Sequence, residues 1–374
     1  MKGADVAIVG AGIGGLTAAI ALQKAGCKVR IYERADRLGD VGAGITITPN
    51  AWKGLAALGL GGALEAEADE VPHQAIRQHQ SGAPIAEIPR GSVTRQTYGA
   101  PYVMLHRADL HKILVDAVRG VDANAILLGQ GVNDAAQIDA DAVIAADGIK
   151  SVVRSRVFAD PEPRFTGHLA WRGLVPAERL PASASVPGSV VWAGPGRIFV
   201  RYPIRHGALV NFVGLTRSDE WRGEGWSQLA VKDDVLAEYA GWHSDIIDTI
   251  QAAEDDTIIT WGLFAREPLK HIVEGRIALL GDAAHPMLPF MGQGAAMAIE
   301  DGVVLGRAFA GADSVTEALD RYAAARIPRT SFIQQESAAG ADRLQFEVAK
   351  TAQAPSRTED TLGIFHFDPA TAPV

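Results

Sequence analysis

Val6-Ala7-Ile8-Val9-Gly10-Ala11-Gly12-Ile13-Gly14-Gly15-Leu16 is the stretch that decides the fold. Its first four residues make an apolar run of strand length, and Gly10, Gly12 and Gly15 then satisfy a G-x-G-x-x-G spacing. A helix pattern follows at once, with Leu16, Ile20 and Leu22 on its apolar face and Gly26 closing it. Lys28-Val29-Arg30-Ile31-Tyr32 forms a second strand that ends at Glu33. The first glycine permits a tight turn, and the second lets backbone approach a pyrophosphate at the helix N-terminus. The third lets helix and strand pack closely, and the acid takes a ribose hydroxyl pair. In this order the elements read as a dinucleotide-binding unit rather than as a glycine-rich turn of some other α/β protein.

Composition narrows the classes. A chain of 374 residues, 48% hydrophobic and 21% charged, holds two or so domains and buries a sizeable core. A net charge of −9 with no basic run argues against nucleic-acid or anionic-membrane surfaces. The single cysteine, Cys27, excludes an internal disulfide framework and a thiolate zinc site, and at the entry to the second strand it reads as structural. No metal site is expected. The apolar N-terminal segment is interrupted by glycines and belongs to the nucleotide fold, so neither signal peptide nor membrane span is expected, and the location expected is cytoplasmic.

Further along, residues 38–45 are too glycine-rich for a helix and read as a loop that brings backbone close to a ligand, followed by a strand from Ile45 to Thr48. Asn50 reads as the cap of a helix carrying Trp52, Leu55, Ala56 and Leu58 and stopping at Gly59. His73 to Pro89 reads as short strands, and His106 to Val118 as an amphipathic helix. Ile126-Leu127-Leu128 and residues 142–146 are buried-strand candidates, the second leading into Asp147-Gly148. From Phe165 to Leu269 alternating strands predict an antiparallel sheet, interrupted by a helix over Leu229 to Tyr239. Arg276 to Asp282 restores a buried strand, followed by helices from Gly294 to Phe309 and from Val315 into the Arg321 region. The nucleotide domain is therefore discontinuous: 1–72, 97–164 and 270–345, with 73–96 and 165–269 forming a second domain and 346–374 a C-terminal tail, Pro- and Thr-rich after Ala354.

Asp147-Gly148 and Gly281-Asp282 each place an acid at the carboxyl end of a strand, where ligands sit in open α/β sheets. With the Pro289-Phe290-Met291-Gly292-Gln293-Gly294 loop, Gly42-Ala43-Gly44-Ile45, Pro49-Asn50-Ala51 and Leu105-His106-Arg107-Ala108-Asp109-Leu110, these motifs closely resemble the single-component FAD-dependent aromatic hydroxylases. That group includes para-hydroxybenzoate, salicylate and 6-hydroxynicotinate hydroxylases, and the resemblance covers nearly the whole chain. It implies an α/β fold: a Rossmann-type FAD-binding domain with an interleaved α+β substrate domain carrying an antiparallel sheet.

It also implies non-covalent FAD held by Gly10, Gly12, Ile13, Gly14, Gly15, Glu33, Arg34, Gly44, Arg107, Asp147, Asp282, Pro289, Gly292, Gly294 and Ala295. In it Gly10, Gly12 and Gly15 take the pyrophosphate, Glu33 the adenosine ribose, Arg107 the phosphates and ribityl region, and Asp282 the ribityl and pyrophosphate part. The Gly292–Gly294 loop takes the flavin ring at a helix N-terminus. Arg34 reads more simply as a solvated charge. Arg154 reads equally as a surface or helix-end charge, and His285 as a backbone-positioning residue beside Pro286 rather than a proton carrier.

The family's cycle implies NADH or NADPH as a transient co-substrate, since no second complete glycine fingerprint exists for it, and hydroxylation by O2 through a flavin hydroperoxide. Halogenases share the first motif, but their Trp-x-Trp-x-Ile-Pro segment is absent.

The candidate catalytic set is Tyr202, Thr46, Ile198 and Pro289. In the strand Arg197 to Pro203, period-two alternation puts Ile198, Val200 and Tyr202 on one face and Arg197, Phe199 and Arg201 on the other. In many members a histidine occupies the position of Ile198, and in some another occupies that of Thr46. Three consequences stay open: a substrate already ionised or activated by nitrogen, Tyr202 and water handling the proton, or a larger apolar ring. Arg201 and Arg205 are cations that attract a carboxylate or serve a solvated or interdomain role. The leading reading is hydroxylation of an aromatic or N-heteroaromatic acid by a monomer or homodimer. A flavin oxidase or epoxidase on a non-aromatic substrate, or a non-enzymatic flavin-binding protein, are the alternatives.

Overall fold

The computed structural model describes residues 2–39, 42–181, 188–221, 227–351, 353 and 355–374. Asp40 and Val41, in the middle of the glycine-rich loop read from the sequence, lie outside them.

The opening motif folds as strand β1 (Asp5–Val9), helix α1 (Ile13–Lys24) and strand β2 (Lys28–Tyr32), with β1 and β2 parallel. Helix α1 is apolar on nearly every side, which suits a helix covered twice: by the sheet beneath and by another helix above. The sheet is completed by β8 (Ile126–Leu127), β9 (Ala142–Ala145), β16 (Val273–Glu274) and β17 (Ile277–Leu279), in the order β16-β17-β9-β1-β2-β8. All neighbours are parallel except the β16–β17 pair at one edge. Adjacent β17, β9 and β1 therefore deliver their carboxyl ends, and the motifs that follow them, to one crevice where the connections diverge.

A three-stranded antiparallel sheet of β3 (Gly44–Ile47), β7 (Val103–His106) and β4 (Asp69–Glu70) flanks it. Helices α2 (Pro49–Ala57), α3 (Gly61–Glu67), α4 (Ser92–Tyr98) and α5 (Arg107–Val121) surround these strands.

The eight-stranded sheet consists of β5 (His73–Gln78), β6 (Pro84–Pro89), β10 (Arg164–Pro176), β11 (Ser189–Gly194), β12 (Arg197–Ile204), β13 (Leu209–Arg217), β14 (Ser227–Leu229) and β15 (Ile259–Ala265). Its order is β14-β15-β10-β13-β12-β11-β5-β6, antiparallel apart from β5 beside β11. The alternation read in β12 holds. Phe199 packs with Trp192, Phe212, Tyr239 and Trp242 against α7 (Lys232–Glu238) and α8 (Ser244–Ala252), while Ile198 and Val200 face the other way with Leu215, Leu288 and Phe290.

After the short α6 (Val152–Val157), the chain's longest helices are α9 (Gly294–Gly311) and α10 (Val315–Asp342). A Cβ on Gly302 would lie 2.6 Å from Ala18 N, and one on Gly306 would lie 2.5 Å from the Ala21 Cβ. These two glycines let α9 close directly onto α1, supplying the second cover that the helix's apolar surface requires.

Several local expectations change. The helix expected over Leu229 to Tyr239 begins only at Lys232, because Ser227–Leu229 extends the sheet edge beside β15. Helix α4 and the full length of α10, which continues through Pro328, are absent from the sequence reading. Asn50 does not cap α2: Thr48 holds that position, and Asn50 turns inward. The tail is no appendage. Ile364 and Phe365 are fully buried, Arg90 pairs with Asp360 at 2.9 Å, Lys53 donates to the Phe365 carbonyl at 2.9 Å, and Arg307 to that of Ala372 at 2.6 Å. No helix among the described residues is long and apolar enough to cross a membrane, and none of their acidic, histidine and cysteine side chains cluster as a metal site.

Candidate functional site

The crevice opens into a cavity of about 560 Å³ that runs from the carboxyl edge of the parallel sheet to the inner face of the eight-stranded one. Gly12, Ile13, Gly14, Gly44, Thr46, Arg107, Ile198, Tyr202, Asp282, Pro289, Gly292, Gly294 and Ala295 all line it. Gly10 and Gly15 lie behind the wall and shape it. A Cβ on Gly15 would come within 2.1 Å of the Gly10 carbonyl oxygen, and one on Gly10, at φ +104°, within 2.5 Å of that of Ala146. A Cβ on Gly12 would meet nothing within 4 Å. Two glycines therefore serve the protein's own packing, and the third keeps open space beside the N-terminus of α1.

Glu33 stands at the end of β2 and accepts hydrogen bonds from Ala11 N and Ala35 N, each at 2.9 Å. Arg34 is exposed, in keeping with a solvated charge. Asp147 gives its carboxylate to Val152 N at 2.9 Å, so that motif contributes Ala146 and Gly148 to the cavity rather than its acid. The surface reading of Arg154 is overturned. The side chain is wholly buried, paired with Asp160 at 2.8 Å and donating to the carbonyls of Ala283 and Ala284, so it ties α6 to the segment after Asp282. Arg201 is not solvated either: it is buried beneath α8 with Asp245 and Thr249, facing away from the cavity. Arg205 pairs with Asp109 at 2.9 Å.

Behind the cavity the separate motifs are joined by buried polar side chains. Asp301 accepts from Gly281 N at 2.9 Å and His285 Nε2 at 2.6 Å through one oxygen, and from Arg326 Nε at 2.7 Å through the other. Burial alone would raise its carboxyl, but His285 and Arg326 hold it down at about 2. His285 is thus held by a buried hydrogen bond to Asp301 that fixes the Asp282 segment on α9, which agrees with a positioning role. Asn50 Nδ2 donates to Gln293 Oε1 at 3.1 Å and Glu300 Oε1 at 2.7 Å, fastening the Gly292–Gly294 loop to α2. Gly292 adopts φ +63°, the left-handed turn that brings the chain from Pro289–Met291 into α9.

Inside the cavity Asp282 opens onto its surface yet lies deep among protein atoms. Burial therefore raises its carboxyl, with His285 and Arg107 opposing. Burial lowers Arg107 in turn, with Asp282 opposing. Tyr202 is pushed up to about 12 by burial, against the pull of Arg172 and Asn211. The glycine at 44 is required here, since a Cβ would stand 2.7 Å from the Tyr202 hydroxyl; Asn211 Oδ1 accepts from Gly44 N at 2.7 Å. Tyr102, Met104, Arg172, Arg343 and Glu359 also line the cavity and were not singled out in the sequence. Of these Arg172 carried a signal: a cation between Ala170 and Leu174 on one face of an alternating strand.

The FAD binding domain family matches residues 3–337. The chain belongs to this FAD-binding family. It is 39% identical over 348 residues to a 3-amino-4-hydroxybenzoate 2-monooxygenase of Streptomyces platensis, covering 89% of this chain and 86% of that one. A 6-hydroxynicotinate 3-monooxygenase of Pseudomonas fluorescens is 34% identical over 350 residues, covering 89% and 90%. Among solved structures, Klebsiella pneumoniae HpxO complexed with FAD and uric acid superposes with a TM-score of 0.84 at 26% identity, covering 98% of this chain and 96% of that one. The residues present fit FAD: the open face of Gly12, the cavity-facing carboxyl of Asp282 and the loop before α9 offer what an anionic dinucleotide needs.

Proposed function

We propose that this protein is an NAD(P)H- and O2-dependent hydroxylase of a small aromatic or N-heteroaromatic ring that carries a carboxyl or hydroxyl group. The observation that carries the reading is the continuity of the cavity. One wall is the cradle of Gly12–Gly14, Asp282 and Gly292–Ala295; the opposite wall is the apolar sheet face with Tyr202 at its edge. In this reading the N–H groups at the start of α1 hold the pyrophosphate, Glu33 the ribose, and Arg107 and Asp282 the ribityl region. Pro289 and the backbone of Gly292–Ala295 lie against the flavin ring. When bound, FAD supplies hydride acceptance from NAD(P)H and activation of O2.

The chain's own residues position the ring and exclude water. Tyr202, raised to about 12, keeps its proton at neutral pH, so it acts as a hydrogen-bond partner to a ring oxygen or nitrogen and not as a standing base. Ile198 and Thr46 offer no ionisable group, which favours a substrate whose ring is activated before it binds. Residues 1–72, 97–164 and 270–345 serve the cofactor, and 73–96 with 165–269 the substrate. A net charge of −9 supports a cytoplasmic protein acting on small molecules rather than nucleic acid.

The test is to purify the protein, record its flavin spectrum, and follow NADH and NADPH oxidation with a panel of aromatic acids under labelled O2. A yellow protein, substrate-stimulated oxidation and one labelled oxygen per product are expected. Flavin reduction by the organic substrate alone, without NAD(P)H, would show an oxidase instead.

A further inference from the structure

Arg172 is a half-buried cation with no anion beside it among the described residues. It lies on β10, and the register runs from Arg172 to Val213 on β13 and from Val213 to Val200 on β12. Side chains at these positions share the cavity face, and Tyr202 stands one step further along β12 on the same face. The guanidinium carbon stacks over the Trp261 ring at 5.1 Å, and Nε is buried with no hydrogen-bond partner. Among the described residues no carboxylate pairs with it. Burial lowers its proton affinity; the Tyr202 phenol opposes this, and Arg107 adds to it as a like charge. An arginine nevertheless stays protonated, and a desolvated cation is costly unless an anion meets it. The side chain's opening is to the cavity.

We propose that Arg172 is the carboxylate anchor of the substrate pocket. The planar fork of a guanidinium set over an indole matches two carboxylate oxygens, a geometry that an ammonium does not reproduce. One strand, β13, lies between β10 and β12, which puts them two strand spacings, about 10 Å, apart. A benzoate-sized ring with its carboxylate on Arg172 therefore points its distal substituent toward Tyr202, along the apolar surface of Val200, Val213 and Leu215. The arginines that the sequence alone suggested for this task are both engaged elsewhere, Arg201 with Asp245 and Arg205 with Asp109.

The inference rests on the hydroxylase reading for what the pocket is used for, but its test reads binding and not turnover, so the two fail separately. Holoenzyme is titrated with 3-hydroxybenzoate and with 3-hydroxybenzamide, following the flavin absorbance change, for wild type, Arg172→Met and Arg172→Lys. Wild type is expected to prefer the acid. Arg172→Met should weaken acid binding by about 30-fold or more while leaving the amide within a few-fold, with FAD retained. Arg172→Lys should recover part of the preference. A wild type without preference for the acid, equal weakening of both ligands in Arg172→Met, or FAD loss from Arg172→Lys would overturn the proposal.

Discussion

Replacing Gly12 and Gly15 by alanine separates what the glycine loop does for the fold from what it does for the ligand. Gly12 already has φ −77° and ψ 179°, ordinary for any residue, and its Cβ would meet nothing within 4 Å. Gly12→Ala should leave the apoprotein within about 0.5 kcal/mol of wild type. The added methyl projects into the space where backbone must approach a pyrophosphate. Losing one charge-assisted hydrogen bond there costs about 1.5–3 kcal/mol, or roughly 10- to 150-fold in FAD affinity.

Gly15→Ala does the opposite. Its Cβ would sit 2.1 Å from Gly10 O, against the roughly 3.5 Å that nonbonded atoms prefer, so helix and loop must part at a cost of about 1–3 kcal/mol or more. With about 2.1 cal/mol/K per residue over 374 residues, each kcal/mol lowers Tm by roughly 1.3 °C. Thermal unfolding of the two apoproteins, with FAD titrations by flavin fluorescence, reads both quantities. A Gly12→Ala variant that binds FAD as wild type does, or one that loses apoprotein stability, would refute the assignment of open space to the cofactor.

Three further outcomes are expected. Asp301→Asn breaks a buried network and should cost about 3–5 kcal/mol in unfolding free energy; because the folded carboxyl lies at about 2 against 3.8 in an ordinary aspartate, about 2 kcal/mol of stability is present above pH 4 and lost toward pH 2, a loss that urea titrations across pH should no longer show in the variant. Asp282 has the opposite sign: its raised carboxyl makes the apoprotein less stable as pH climbs out of the ordinary carboxylate range, so Asp282→Asn should flatten that decline in denaturant midpoints while weakening FAD retention. Tyr202→Phe should reduce hydroxylated product relative to NAD(P)H consumed and raise peroxide release; an unchanged ratio would remove Tyr202 from the mechanism, and Ile198→His measured beside it across pH shows whether an added imidazole restores coupling.

The parts of this protein legible in its sequence are those where chemistry leaves little choice. Gly10 and Gly15 leave no room for a side chain, Gly12 keeps open the space beside the N-terminus of α1, and the alternation in β12 follows from the pleat, so these were readable without coordinates. The roles of Arg154, Asp301, Arg326 and Asn50 were not, because a charge or amide in a sequence carries no mark of the partner more than a hundred residues away, or one turn of another helix, that lets it be buried. Asn50 illustrates the difference: before a helix it resembles a cap, and only the arrival of Gln293 and Glu300 gives its amide better acceptors. The C-terminal segment was misread for the same reason. Its apolar content is low, and Phe365 counts as core only once Tyr102 and Arg90 are known to receive it.

The close seating of α9 on α1 through Gly302 and Gly306 has a consequence for biosynthesis. Helix α1 is complete by Lys24, but the surface that covers its outer side ends at Gly311. At elongation rates of about 5–20 residues per second the intervening residues take roughly 15 to 60 s to make. Throughout that interval Thr17, Ala18 and Ala21 emerge from the ribosome with their cover still unwritten, so the cofactor cradle is an early sequence that becomes a late structure. Nascent chains halted before residue 294 should bind chaperone through this first segment, and chains halted after enough of α9 has cleared the exit tunnel should not.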